Sequence, residues 1–398
     1  MADLGDIHAL LADAPLVDGH NDLLWEMRER VAYDFDAIDI AAGAPGLMTD
    51  IPRLRAGGLG AQFWSVYVPS DLPGDTAVTA TLEQLDGLHM MLARHPRDLE
   101  FALTADDVER VVAAGRIACL AGMEGGQSIG APLGALRMMY ALGARYMTLT
   151  HNHTNAWADS ATDEPQHDGL STFGEEVVRE MNRLGMLVDL SHVAPSTMKD
   201  AIAASRAPVI FSHSDVHALN PHPRSVPDDV LRLLPANGGV IMITFVPPFL
   251  SGEVWAWQRE RSAEEARLKS LYSFSKARVD EGLKAWEAAH PRPEAQVASV
   301  ADHIEHAVKV AGHDHVGIGG DLDGIPYGVA GLAGVEGYPN LFAELIRRGW
   351  SDGDLAKLAG GNILRVMRRA EAVAAAMKDE PPSLASLPAE ADARETGQ

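Results

Sequence analysis

A chain of 398 residues with 33 basic and 56 acidic side chains carries a net charge of −23, and no Lys/Arg stripe interrupts that excess, which argues against nucleic acid and anionic membrane surfaces as partners. With 46% hydrophobic and 22% charged residues, it can bury a large core, either as one elaborated α/β barrel or as two or three average domains. Cys119 is the single cysteine, so an intramolecular disulfide is excluded; with no basic and apolar leader and no apolar run of membrane-spanning length, the expectation is a cytoplasmic protein without a membrane segment.

In chain order, residues 16–22, LVDGHND, run from apolar to abruptly polar and read as a buried strand. His20 and Asp22 are two apart, so on a strand their side chains share one side. That pair either holds a divalent metal or merely caps and solvates the strand end. Residues 25–48 read as a long loop, 49–56 as a short helix and 60–68, GAQFWSVYV, as the second strand. Apolar residues at helical spacing, from Leu82 to Leu92, predict a helix over 79–95. The third strand, 117–123, runs into Glu124, and a helix over 132–142 stops at Gly143.

The fourth strand, 146–150, ends in His151. Thr172 and Glu175 form a capping-box signature for a helix that Gly185 would stop. The fifth strand, 186–190, ends in Ser191 and His192; after a helix over 195–204, the short sixth strand, 208–211, ends in Ser212 and His213. A helix over 227–234 precedes the seventh strand, 239–245. Residues 247–293 then form an insertion, with Trp255, Trp257, Tyr272, Phe274 and Trp286 in helices. The amphipathic helix 299–311 leads into the eighth strand, 315–319, which delivers Asp321. Helices follow over 340–377 with a cap at Ser351 and Asp354, and 378–398 reads as a polar, disordered tail.

Eight strands separated by helices predict a (β/α)8 TIM barrel over 1–377 with a helical insertion after the seventh strand. A Rossmann-type sheet is disfavoured, because the first strand's turn lacks the Gly-rich phosphate fingerprint. In a parallel barrel all C-terminal strand ends open on one face. Six of the eight predicted strands therefore deliver His20 and Asp22, Glu124, His151, His192, His213 and Asp321 to one rim. His192 and His213 each follow an apolar strand and a Ser, and as a pair on neighbouring strands they read as ligands rather than structural histidines. The glycines of MEGGQS could serve only a tight turn, but a carboxylate straight after a buried strand is costly unless paired or metal-bound, so Glu124 also reads as a ligand. Arg224, in NPHPRSVPDD, either pairs with Asp228 or Asp229 at the surface or lies near the rim as a clamp for a substrate carboxylate. His153 reads as a loop neighbour, Asp323 as structural and Cys119 as core. His89, His95, His290, His303 and His306 read as solvated.

Taken together, DGHNDLLW, MEGGQSIG, LTHNHTNAWAD, GLSTFGEEVVREMNRLGMLVDLSHV, FSHSDVHAL, HPRSVPDD and GIGGDLDG resemble the membrane dipeptidase (renal dipeptidase) family from about residue 15 to 370. The resemblance implies a barrel with two Zn2+ ions, one held by His20 and Asp22, the other by His192 and His213, with Glu124 bridging them. It implies that His151, Arg224 and Asp321 bind substrate and assist catalysis. The expected activity is hydrolysis of dipeptides, with tolerance of a D-residue at the C-terminal position and, in some members, cleavage of β-lactams. A hydroxide shared by the ions would attack the peptide carbonyl while His151 steadies the oxyanion, Asp321 moves the proton and Arg224 grips the substrate's C-terminal carboxylate. The lipid anchor and disulfide of animal members do not carry over, and a homodimer is allowed.

Three positions depart from the family pattern: Gln127 for His, Ser225 for Asn and Leu322 for an aromatic residue. None is an expected ligand, so the departures bear on substrate preference. Two alternatives were weighed. Another amidohydrolase-type hydrolase commonly shows His-x-His on strand one, where this chain has His-x-Asp; a non-catalytic zinc-binding barrel would show a missing ligand, and none is missing.

Overall fold

The computed structural model describes residues 4–273 and 275–387. Phe274 and residues 388–398, which include much of the expected tail, lie outside them. Among the described residues there are nine strands: β1 (Leu16–Asn21), β2 (Leu59–Tyr67), β3 (Leu99–Phe101), β4 (Ile117–Glu124), β5 (Ala144–Thr148), β6 (Leu187–Asp189), β7 (Ile210–Ser214), β8 (Val240–Ile243) and β9 (Val316–Ile318). All pair in parallel, β1 bonds to both β2 and β9, and β2 bonds to β4, so eight of them close into a barrel. These strands are apolar on both faces because a barrel buries them from inside and outside. The unexpected β3 pairs with the start of β4 on the edge that β5 takes over from Ala121 onward. Three residues are too few to show a strand's periodicity.

The (β/α)8 expectation holds, and several local readings change. The presumed loop over 25–48 begins inside a helix, Leu23–Val31, which buries Leu23, Leu24 and Met27. Its charged face had masked that apolar stripe. A first helix, Leu4–Asp13, buries Ile7 and Leu11. Ser171, one residue before the expected Thr172, accepts the capping hydrogen bond from the N–H of Gly174. The helix expected over 227–234 is two short pieces, Asp228–Leu231 and Leu234–Asn237. Ser351 caps as anticipated, accepting from the N–H of Asp354.

After β8 the insertion forms a short helix, Pro247–Leu250, and two long ones, Gly252–Leu271 and Lys276–Ala289. The two long helices hold each other through their own small cluster of Leu268, Val279 and Leu283, with Tyr272 against it. An ion pair of 2.7 Å joins Arg261 to Glu287. Within the described part of the expected tail two residues are anchored: Ser383 donates its N–H to Glu180 and its hydroxyl to Glu176, and Glu380 meets Arg179 and Arg206. No helix among the described residues is long and apolar enough to cross a membrane.

Two buried polar side chains tie the barrel together. Tyr146 on β5 reaches His20 and the carbonyl of Gly19 on β1, a strand that is not its neighbour, so its ring crosses the lumen. Gly122 makes room, since a Cβ there would lie 2.0 Å from the Tyr146 ring. Asp18 accepts from the N–H of His20, Gln62 on β2, the N–H of Gly320 beyond β9 and the Tyr338 hydroxyl. Burial pushes the Asp18 carboxyl up, and those hydrogen bonds oppose the shift. Removing one partner from a buried carboxylate costs about 1–3 kcal/mol. Tyr338→Phe should therefore lower unfolding stability by that amount in urea titrations; an unchanged midpoint would show that the other three donors suffice.

Candidate metal centre and active site

Strand register sets the site. Tyr67 lies opposite Glu124, and Glu124 opposite Thr148, so the ends of β2, β4 and β5 stand level. Into that ring come the five side chains singled out from the sequence. Glu124 faces two ways: Oε2 is 3.4 Å from Nε2 of His20, while Oε1 is 3.1 Å from Nε2 of His192 and 3.5 Å from Nε2 of His213. Asp22 is 3.3 Å from His20, and the two imidazoles of His192 and His213 approach to 3.0 Å. His151 and Asp321 complete the cluster at 3.8 Å from Glu124 and 3.9 Å from His20.

Hydrogen bonding on the far side of the rings decides what the near side offers. The Tyr146 hydroxyl donates to the carbonyl of Gly19, so it accepts from Nδ1–H of His20, 2.8 Å away. Ser212 donates to Asp189, so its oxygen accepts from Nδ1–H of His213, 2.9 Å away. Both imidazoles thus aim an Nε2 lone pair at carboxylate oxygens, and Nε2 of His20 has no hydrogen-bond partner. Acceptors facing acceptors in a buried place repel unless a cation lies between them. Among the described residues three groups could each hold an ion: His20, Glu124 and His213; Glu124, His151 and His192; and His20, Asp22 and Asp321. Glu124 belongs to two of them. Nitrogen and carboxylate donors at this spacing fit a divalent metal pair.

Burial works to lower the His20 imidazole, but Tyr146, Glu124 and Asp22 outweigh it and hold it well above its usual value, so that a positive charge at its Nε2, proton or metal ion, is favoured. Burial pushes the imidazoles of His192 and His213 well down, and the charge of Arg224 adds to it. Burial works to raise the Glu124 carboxyl, but His20, His151 and His192 outweigh it and hold it well below the usual range. Asp321 is pushed well up by burial, although His20 opposes this; the carboxylates of Asp22 and Glu124 add to the rise. Gly324 lets those acids crowd, because a Cβ there would lie 2.3 Å from Asp22 and 2.5 Å from Asp321. His192, Asp321 and Asp323 adopt φ of 68°, 60° and 65°. Left-handed backbone in residues other than glycine is strain of the kind that clusters at functional sites.

Arg224 does not pair with Asp228 or Asp229, which meet His306 and Lys199 instead. It is buried at 3% exposure, donates Nη2 to the carbonyl of His213 at 3.2 Å, and leaves Nε and Nη1 without partners. Burial brings its guanidinium down to about 10, so it is charged at neutral pH. A cavity of about 970 Å³ opens over the cluster, with Glu124, His151, His192, Arg224 and Asp321 in its lining.

Other partners escaped the sequence reading. Tyr67 ends β2 and lines the cavity; burial, Glu124 and Asp22 push its hydroxyl up to about 12, so it remains a donor. The strand-end rule would have found it had aromatic hydroxyls been counted. Tyr146, Ser65 (which donates to Glu124) and Asp189 carried no local signal, since their partners lie on other strands. His95 and His303, expected to be solvated, are buried at 5% and 1%; His303 packs against Asp215. Asp323 accepts from the N–H of Met48 as a structural residue would, but also lines the cavity. Gln127 bonds the carbonyl of Val68, and none of Gln127, Ser225 and Leu322 is in the lining, so these departures do not touch the cavity directly.

A closed (β/α)8 barrel carrying imidazoles and carboxylates at the C-terminal mouth is the arrangement of a metal-dependent hydrolase. The family model described as membrane dipeptidase, peptidase family M19, matches residues 4–381. The chain belongs to that family and is a metallo-dipeptidase. It is 39% identical to Dipeptidase verJ of Clonostachys rogersoniana over 93% of this chain and 88% of that protein. It is likewise 39% identical to Dipeptidase 3 of Rattus norvegicus, over 92% of this chain and 67% of that protein. Among solved structures, a metallopeptidase from Rhodobacter sphaeroides liganded with a phosphinate mimic of L-Ala-D-Ala superposes with a TM-score of 0.74 and 25% identity, covering 89% of this chain and 99% of that one. The probable dipeptidase PvdM from Pseudomonas aeruginosa shares the fold at a TM-score of 0.80 and 24% identity, covering 93% and 98% of the two chains.

Outer partners that orient a ligating imidazole typically change metal affinity about 10- to 100-fold when removed. Tyr146→Phe, which strips the acceptor from Nδ1 of His20, should weaken metal binding by that factor in competition with a chromophoric chelator. Unaltered affinity would mean that packing alone orients the ring.

Proposed function

We infer that the chain, as a single catalytic domain over 1–377, is a zinc-dependent dipeptidase that holds two Zn2+ ions per chain, with His20 and Asp22 at one, His192 and His213 at the other, and Glu124 between them. The observation that carries this reading is the two-sided contact of Glu124, one oxygen toward His20 and the other toward His192 and His213. When bound, the ions supply Lewis-acid polarisation of the peptide carbonyl and lower the pKa of a water to about 7.

The chain's own residues do the rest. Arg224 receives the substrate's free C-terminal carboxylate on the donors that have no partner in the protein, in a charge-assisted pair. Anchored to the backbone of His213, it sets a short distance between carboxylate and metal centre, which suits one residue beyond the scissile bond. His151 lies over Glu124 at the cavity wall, where an Nε2–H would donate to the oxygen of the tetrahedral intermediate. Asp321, at the edge of the cluster, accepts the proton of the attacking water and returns it to the leaving amine. A D-residue at the C-terminal position fits the reading through the ligand of the Rhodobacter sphaeroides structure.

Two measurements test this. Glu124→Ala should lose both zinc ions together on dialysis, read by elemental analysis against protein; two retained ions per chain would remove Glu124 from the bridge. Arg224→Ala should raise KM for dipeptides, about 2–4 kcal/mol being lost with a buried hydrogen-bonded charge pair. An unchanged KM would place the carboxylate elsewhere.

A further inference from the structure

The carboxylate that Arg224 would hold is bonded directly to the Cα of the substrate's C-terminal residue. That residue's side chain branches from the same atom, so it must lie against whatever surrounds the guanidinium. One side of the guanidinium is lined by rings and prolines. The Phe249 ring centroid is 5.5 Å from the guanidinium carbon, and the His222 ring stacks on Phe249 at 4.3 Å with Trp255 behind it at 5.0 Å. Pro247 and Pro248 continue the cavity wall beside Phe249. His222 adds no charge: its Nδ1 accepts the backbone N–H of Arg224, and burial together with the neighbouring guanidinium pulls it down to about 4.

Of the guanidiniums that the insertion brings to the same cavity, one is ion-paired and one rests on a ring. Arg261 is tied to Glu287 at 2.7 Å and to Glu265 at 3.4 Å, while Arg292 lies over the Tyr327 ring at 3.4 Å. Glu124 and Asp321 belong to the reaction. A charged or amide side chain on the substrate's C-terminal residue that lies against Phe249, Pro247 and Pro248 would thus give up its water to apolar surface.

We propose that Phe249, His222, Pro247 and Pro248 form a subsite for an apolar side chain, and that the preferred substrates are dipeptides with a bulky apolar residue at the C-terminal position. This rests on the dipeptidase reading and on Arg224 as its carboxylate clamp. Leu and Asn have nearly the same shape, so Ala-Leu and Ala-Asn isolate polarity from size. With zinc-loaded full-length protein, kcat/KM for Ala-Leu should exceed that for Ala-Asn by about tenfold or more. Phe249→Ser should bring the ratio toward one, and Phe249→Leu should keep most of it. A ratio taken within one preparation is independent of how much of a variant is folded. A wild-type ratio near one, or a ratio that Phe249→Ser leaves unchanged, overturns the subsite while leaving the dipeptidase reading intact. Failure to hydrolyse either peptide, or Ala-Gly, overturns both.

Discussion

The structure depends on one buried carboxylate. Glu124 stands at the end of β4 with imidazoles on both sides, each of its oxygens meeting a different set. Two of those imidazoles are locked, by hydrogen bonds from their far nitrogens, into the tautomer that turns a lone pair toward it. Without a cation this is a collection of acceptors packed together at a cost; with one it becomes a coordination sphere. The barrel's parallel strands make the convergence geometrically simple, because every strand arrives from the same direction.

The supports behind the cluster are as specific as the cluster itself. Asp189 accepts from Ser212, whose oxygen in turn accepts from Nδ1–H of His213, and Tyr146 crosses the lumen to do the same for His20. Arg224 is anchored to the carbonyl of His213, so the proposed clamp and a proposed ligand share one piece of backbone and cannot drift apart. In the proposed function, selectivity for short substrates rests on that rigid spacing rather than on a small cavity, since about 970 Å³ is open above the site. The insertion's helices, with their own small core, contribute the outer wall of that space.

Much of this was legible before any coordinates. The residue that ends each apolar run is an acid or imidazole in most of the strands, and in a parallel barrel those ends must meet. His20, Asp22, Glu124, His192 and His213 were all found that way, and they do lie together. Arg224 was harder, because an Arg followed closely by two Asp has an obvious surface explanation; burial and an anchor on His213 set that explanation aside. The helix Leu23–Val31 was hidden by its charged face, and β3 by its brevity. His95, just past a helix end, and His303, on a helix, show the limit of reading single residues, since packing rather than the neighbours in sequence decides whether such a histidine is solvated.

The sequence by itself determined the alternation of strand and helix, the closed parallel barrel and the set of polar residues at its mouth, because hydrophobic periodicity and the end of each apolar run are local properties of the chain. Only the tertiary structure decided which oxygen of Glu124 faces which imidazole, which nitrogen of His20 and His213 is free, and that Tyr146, Asp189 and Phe249 stand beside groups more than twenty residues away in sequence. Those choices are made by contacts between strands that are distant along the chain, and no local pattern of residues encodes them.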